Sequence, residues 1–495
     1  MTTPNEAGLN DAPTQTERLI ELGRETLQLF HDPQERAFAQ PTSGRRGVVG
    51  LPSKRASRIL QLAFKQRLGH YPNPSAVASA LEALATEAVL EGPEAPLYTR
   101  VGKSDRGRLV LDLAADDGRV VEVTEGSWRL ASDAAVRFQR RDGAHPLPEP
   151  RAGGAIELLR EFVNVESEED FILLTSWAAM ALSPVGPFPV LIVQGEQGSA
   201  KSTTCEVLKR LVDPTRAPLR AAPRSTRDLA IAAEGNWVLV LDNISFLPTW
   251  LSDALCRLST GGGFGTRALY RDDEECVFEQ QRPAILNGID AVATRQDLLD
   301  RAIVLTLPRV EPHARRDERT FWAEFERARP LILGALLSGA AAADEHVSSV
   351  ELPDAPRMAD FTRWAVAASD GFGWTREQFL TAYEENRAVA LRTSLDGSSV
   401  VKAIRAVLDV DDGCLEGTPT QVFERLRAYA PPQDGGQRGG FPSNPQRLGR
   451  HLRLLAGALR AEGIEVETGH LGSGSDKTRW VRIETLRDLE PPEAI

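Results

Sequence analysis

The chain has 495 residues, 42% of them hydrophobic and 26% charged, a balance that excludes a wholly disordered or fibrous protein and leaves room for about two to four domains. A formal net charge of −12 excludes a surface that is basic throughout, so contact with nucleic acid has to come from local patches. No stretch approaches the ~18 uninterrupted apolar residues of a membrane span, and the polar N-terminus has no apolar signal core, so no membrane partner is expected.

Residues 1–15 read as a disordered tail. Thr16 to Phe30 has the apolar spacing of an amphipathic helix, and Leu60 to Gly69 and Ser75 to Leu90 are helical as well. Short strands follow at 97–101, 109–113, 120–123 and 128–130, separated by Asp-Gly and Glu-Gly turns. The proline-rich run from His145 to Pro150 predicts a linker, which closes an α+β N-terminal domain at 16–150. Phe171 to Leu182 is a strongly apolar helix. Four near-continuous apolar runs follow, at 189–193, 236–242, 283–288 and 302–307. Such runs separated by helices predict a parallel sheet covered on both faces, and an α/β core at 151–313. A helical region is expected at 314–410, with separate helices at 320–329 and 331–344, then 358–368, 376–387 and 399–408. Two helices (418–429 and 444–462) and two strands (464–467 and 479–483) then suit a winged-helix-like domain at 411–495. Cys205, Cys256, Cys276 and Cys414 show no paired spacing. They predict neither a zinc site nor a disulfide framework, and a reducing cytoplasm as the expected location.

Gly195-Glu196-Gln197-Gly198-Ser199-Ala200-Lys201-Ser202, followed by Thr203, lies between an apolar strand and a helix. That order is the one a phosphate-binding loop needs. Small residues let backbone N–H groups curl around a phosphate, and the helix N-terminus adds positive potential. Ala200 stands where the pattern has its second glycine. Lys201 is expected to reach the β/γ-phosphates of ATP and the Ser202 hydroxyl to bind Mg²⁺. Asp242 ends the second core strand and is the expected magnesium carboxylate. Asn243 follows it, and an amide can hydrogen-bond water but cannot take its proton. Asn287 ends another core strand, where it is either a sensor of the γ-phosphate or half of an Asn-Gly turn. Arg295 and Arg301 are candidates for an arginine reaching a neighbouring subunit's nucleotide, with Arg301 ahead; the alternative for Arg301 is a structural ion pair beside Asp300.

Between the carboxylate and asparagine strands lies a glycine cluster, Gly261-Gly262-Gly263, followed by Arg267, Tyr270 and Arg271. With the motifs at 195–202, 242 and 287, this order resembles the superfamily 3 helicases, in particular poxvirus and phage primase-helicases. The resemblance covers roughly 155–310. It implies an AAA+-like ATPase core using ATP and Mg²⁺, a homo-oligomeric ring, and DNA contact near Arg267 and Arg271. Gly263 stands where that family carries an acidic residue. The tail adds Arg447, Arg450 and Arg453, spaced by three on one helix, in a stretch from Gly435 to Ala461 with no acidic residue; they are either DNA contacts or a solvated face. Lys477, Arg479 and Arg482 mark the expected wing. A further basic cluster, Arg45, Arg46, Lys54, Arg55 and Arg58, is a second contact or a solvated loop. The sequence thus predicts an ATP-driven helicase or translocase of a mobile element, or else an ATP-dependent oligomeric switch with little unwinding.

Overall fold

A computed structural model describes residues 13–486 except 44–46, 125, 133–135, 142, 263, 268–274, 279, 290–294, 354, 431–440 and 472–477. The first helix, α1 (Gln15–Thr26), starts at a capping box in which Thr14 and Glu17 satisfy each other's backbone N–H. It stops four residues short of the predicted end. Leu27–His31 is instead a strand, β1, paired antiparallel with β2 (Ala37–Pro41), which in turn pairs with β3 (Val49–Gly50). Leu27 and Phe30 fit a helical spacing as well as a strand, and the pairing with residues 37–41 decides between them. Helices α2 (Lys54–Leu68) and α3 (Pro74–Leu90) pack with α1 around Leu19, Leu60, Phe64 and Leu84.

Two short strands, β4 (Leu97–Tyr98) and β9 (Arg137–Phe138), pair in parallel. Between them β5 (Val101–Lys103), β6 (Leu109–Asp112), β7 (Val120–Thr124) and β8 (Ser127–Ala131) form an antiparallel meander. The predicted linker after it is packed rather than free. His145 N–H donates to Pro214 O, Leu147 N–H donates to Leu113 O, and the Leu147 side chain is buried. Val101, Leu111, Val121 and Val123 share one apolar core with the helices beyond residue 150, because that face of the meander has no other cover.

The central sheet is wholly parallel, in the order β11 (Leu239–Leu241), β14 (Ala284–Gly288), β10 (Val190–Gln194), β15 (Ala302–Thr306). Alternate residues divide between its faces, as strand geometry requires. Leu191, Val193, Ile285, Ile303 and Leu305 join α4 (Glu168–Met180), α5 (Lys201–Val212) and α9 (Glu318–His346) on one side. Val190, Ile192, Leu239, Leu286 and Ala302 join α6 (Thr226–Gly235), α7 (Thr249–Thr260) and α8 (Gln296–Leu299) on the other. After α7 the chain forms an antiparallel hairpin, β12 (Phe264–Arg267) with β13 (Glu275–Phe278). The two helices predicted at 320–329 and 331–344 are one helix, α9, which passes through Pro330. Residues 151–154 lie against it at that point: Arg151 N–H donates to Pro330 O, and a Cβ on Gly154 or Gly334 would overlap the opposing backbone.

Helices α10 (Ala359–Ser369) and α11 (Arg376–Gly397) complete the middle of the chain. The last unit contains α12 (Ser399–Val410), β16 (Cys414–Gly417), α13 (Pro419–Ala428), α14 (Pro445–Ala461), β17 (Ile464–Leu471) and β18 (Thr478–Thr485), with sheet order β16-β18-β17. Sequence reasoning missed β16, which is only four residues long. It also placed α12 with the preceding helices. Val400, Val401, Ile404 and Val407 instead pack with Val422, Leu448, Leu452 and Ile483, so this core begins before residue 411. Among the described residues no helix is long and apolar enough to cross a membrane.

Candidate nucleotide site and basic surfaces

The glycine-rich loop leaves the C-terminal end of β10 and turns into α5. Gly195 has φ 146°, and a Cβ there would lie 2.5 Å from the Leu307 carbonyl oxygen, so only glycine fits beside the end of β15. Gly198 has φ 86°. Glu196, Gln197 and Gly198 are exposed, whereas Ser199 is buried and donates from Oγ to Glu196 O at 2.9 Å. Ala200 sits at φ 60°, ψ 26°, in left-handed backbone that disfavours any Cβ. Replacing it with glycine is expected to stabilise the fold by about 0.5–1 kcal/mol, read as a higher denaturant midpoint with an unchanged slope. A lower midpoint would mean that the methyl group packs usefully.

Lys201 folds back over the loop. Its Nζ donates to Gly195 O at 2.7 Å and Glu196 O at 2.6 Å. Burial pulls its pKa below the ordinary lysine value, against the opposing pull of Asp242. Thr203 is half-buried one residue beyond Ser202. Ser202 Oγ donates to Asp242 Oδ1 at 2.8 Å, although 40 residues separate them. Asn287, on β14 between the strands that lead to these two residues, donates from Nδ2 to the same Asp242 oxygen at 2.5 Å, and its Oδ1 accepts the Asn243 N–H at 2.7 Å. It is therefore a buried strand residue that fixes the carboxylate, and the Asn-Gly turn is excluded because β14 continues through Gly288. Asn243 itself is exposed at φ 56°. Cys205 completes the floor; burial pushes its thiol up to about 12, so it is inert.

Other expected residues lie elsewhere. Arg301 immediately precedes β15, at the end of the sheet away from the loop: its carbonyl accepts the Val190 N–H, and its guanidinium pairs with Asp297. Only 9% of the residue is exposed, and its guanidinium is held in that ion pair. Arg295 is the more accessible of the two, its side chain 44% exposed beside Asp253. The β12–β13 hairpin also departs from this far edge, since Ser259 near the end of α7 accepts the Phe188 N–H just before β10. Arg267 ends β12, while Gly263, Tyr270 and Arg271 lie outside the described residues. On α14, Arg447, Arg450 and Arg453 are exposed, and Leu448, Leu452 and Leu459 face the core. Lys477 lies outside the described residues, and Arg482 is engaged by Glu484 at 2.8 Å rather than free.

Sequence reasoning missed Arg315 and Asn164. Asn164 Nδ2 donates to Ser199 O at 3.0 Å and Pro308 O at 2.7 Å, and Val310 N–H donates to Gly198 O at 3.1 Å. The segment after β15 is thereby tied to the loop, and Arg315 Nη2 comes within 4.0 Å of a Cβ placed on Gly198. Only the run of arginines after residue 308 hinted at it, and spacing alone could not bring that run to the loop.

A glycine loop, a hydroxyl and a carboxylate thus meet at the C-terminal edge of a parallel sheet, where open α/β sheets place their ligand sites. A family model of the actinomycete integrative conjugative element replication protein (AICE RepA) matches residues 156–408, just over half of the chain and all of this site. The AICE RepA C-terminal domain matches residues 400–492. The chain belongs to this family of mobile-element replication proteins. Solved structures to which it is similar include the A form apo structure of the NrS-1 C-terminal region, at 10% identity and TM-score 0.43, with 96% of this chain and 100% of that one covered. The apo structure of the NrS-1 C-terminal region (305–718) is similar at 11% identity and TM-score 0.42, with the same coverage. No curated protein matches.

Proposed function

We propose that this replication protein is an ATP-driven DNA motor: a superfamily 3-type helicase or translocase whose AAA+-like core assembles into a homo-oligomeric ring. The observation that carries the reading is the 2.8 Å contact between Ser202 and Asp242, with Asn287 locking the carboxylate from the strand between. Hydroxyl and carboxylate oxygens are the donors that Mg²⁺ prefers, so the pair fits the metal of ATP·Mg²⁺. When bound, the metal would neutralise charge on the phosphates. Lys201 exchanges loop carbonyls for phosphate oxygens, and the loop N–H groups and the start of α5 hold the anion. Asn287 keeps Asp242 oriented. Arg295 and Arg301 are the candidates to meet a neighbouring subunit's nucleotide, Arg295 being the more exposed.

The order α12, β16, α13, α14, β17, β18 supports a winged-helix reading, in which α14 would present its arginines to DNA. An ATPase assay with and without DNA, paired with mass measurement with and without ATP, tests the reading. DNA-stimulated hydrolysis by an ATP-dependent oligomer is expected. ATP-independent mass and no hydrolysis would overturn it. One observation favours the alternative switch: the exposed residue after Asp242 is Asn243, which cannot act as a base. A switch would assemble with ATP and unwind nothing.

Arg315 supplies a second cation over the loop. Arg315→Ala is expected to weaken ATP about tenfold, less than the loss of a full charge-assisted hydrogen bond, and ADP less. Calorimetric titration with both nucleotides checks this, and equal affinities for wild type and variant would remove Arg315 from the site.

A further inference from the structure

Helix α2 stands apart from both the nucleotide loop and α14, and like α14 it carries several cations and no carboxylate. In a protein with net charge −12, its 15 residues carry Lys54, Arg55, Arg58, Lys65 and Arg67 and no carboxylate. The helix buries Ala56, Leu60 and Phe64. Lys54, Arg58, Leu62 and Lys65 are exposed and recur every three or four residues, which puts them on one stripe about 16 Å long. Among the described residues, no carboxylate lies within ion-pairing distance of Lys54, Arg55, Arg58 or Lys65. Arg67 alone pairs, with Glu25 at 3.6 Å. Beneath the stripe a groove of about 460 Å³ runs between α2 and α3, lined by Lys54, Ser57, Arg58 and Gln61, with Glu82 at its α3 wall.

At the far end of the stripe an aromatic ring stands in solvent. Tyr71 is 60% exposed and Leu62 53% exposed; the Lys65 Nζ lies 4.8 Å from the Tyr71 ring centroid and 3.4 Å from its hydroxyl. A row of cations with no carboxylate partner among the described residues, leading to an exposed ring and an exposed leucine, has one natural polyanion. The cations match successive phosphates, and the ring offers a stacking face to a base. A duplex keeps its base faces covered, so the ring favours an unpaired strand.

We propose that α2 and Tyr71 form a second nucleic-acid surface of this protein, one that holds single-stranded DNA. The surface keeps a strand on the N-terminal unit, independently of nucleotide and of α14. The unit is not a free arm: Arg36 pairs with Glu234 of α6 at 3.0 Å, so a strand held by α2 is held beside the central sheet.

The full-length chain tests this by fluorescence anisotropy with a labelled 30-nucleotide oligothymidine, titrated at several salt concentrations, with a 30-base-pair duplex as the second arm. Lys54→Gln, Arg58→Gln and Lys65→Gln combined are expected to lower oligothymidine affinity about tenfold. The log–log salt slope should become shallower by about two units, or roughly 0.7 per lost phosphate contact. Tyr71→Ala should weaken the same complex about fivefold or more and leave the duplex unchanged. The charge-preserving set Lys54→Arg, Arg58→Lys and Lys65→Arg should bind as wild type, which separates loss of contact from loss of fold. Wild-type affinity and slope in the glutamine variant would overturn the proposal. So would an equal loss on the duplex with no effect of Tyr71→Ala, which would assign the stripe to double-stranded DNA.

Discussion

Lys201→Ala is expected to abolish measurable ATP binding at micromolar protein while leaving the fold intact. The Nζ of Lys201 satisfies itself on two loop carbonyls, so removing it breaks no tertiary contact outside the loop. The bound state loses a charge-assisted hydrogen bond to the phosphates, worth about 2–3 kcal/mol, or roughly 30- to 150-fold in affinity. Arg315 approaches over Gly198 and cannot take the place of a lysine at the start of α5. Calorimetric titration with ATP·Mg²⁺ checks the outcome, with thermal unfolding of both proteins as the control. Wild-type affinity in the variant would move the nucleotide away from this loop.

Asp213→Asn is expected to destabilise the whole chain by about 3–5 kcal/mol, because it leaves buried cations without their counterion. Asp213 caps the end of α5. Its carboxylate meets Lys209 Nζ at 2.6 Å and Arg100 Nε at 3.1 Å, and accepts the N–H groups of Trp237 and Val238 at 2.9 and 3.1 Å. Burial alone would raise its pKa. The charges of Lys209 and Arg100 and those hydrogen bonds outweigh burial and bring it down to about 2. The folded pKa thus lies below the unfolded value of about 3.9. The stabilisation is therefore full above about pH 4 and is lost as pH falls toward 2. Denaturant unfolding between pH 7 and pH 2.5 should show that acid-dependent loss in wild type and a shallower one in the variant. A variant as stable as wild type at pH 7 would mean that the cations find other partners. The network also has a mechanical meaning: Arg100 comes from the bend between β4 and β5, so the helix that carries the loop is anchored to a unit about 100 residues upstream.

How much of this was legible depends on how local each signal is. The loop and Asp242 each follow a strand whose apolar run is unmistakable, and Asn287 lies near the end of another, so their meeting point follows from sheet geometry. The alternation of Val190, Leu191, Ile192 and Val193 fixed the two-faced burial just as directly. The misses are non-local. Nothing near Leu27 announces residues 37–41 as its strand partner, and β16 becomes a strand only through β18. Pro330 is the usual signal of a helix end, but packing of residues 151–154 against α9 outweighs it. For Arg301 two readings stay open in the sequence because an ion pair to Asp297, four residues earlier, cannot be told from a free arginine by composition. Arg315 was missed because backbone hydrogen bonds, not side-chain pattern, bring its segment to Gly198.

Strand displacement on a forked duplex tests the central claim most directly, with ATP·Mg²⁺, with a non-hydrolysable analogue, and with Lys201→Ala as the third arm. A motor of this design releases the strand only with ATP·Mg²⁺ and only with the wild-type chain. Displacement that proceeds equally with the analogue or in the variant would contradict an ATP-driven motor at this loop, and so would none by a wild-type chain that binds ATP and assembles.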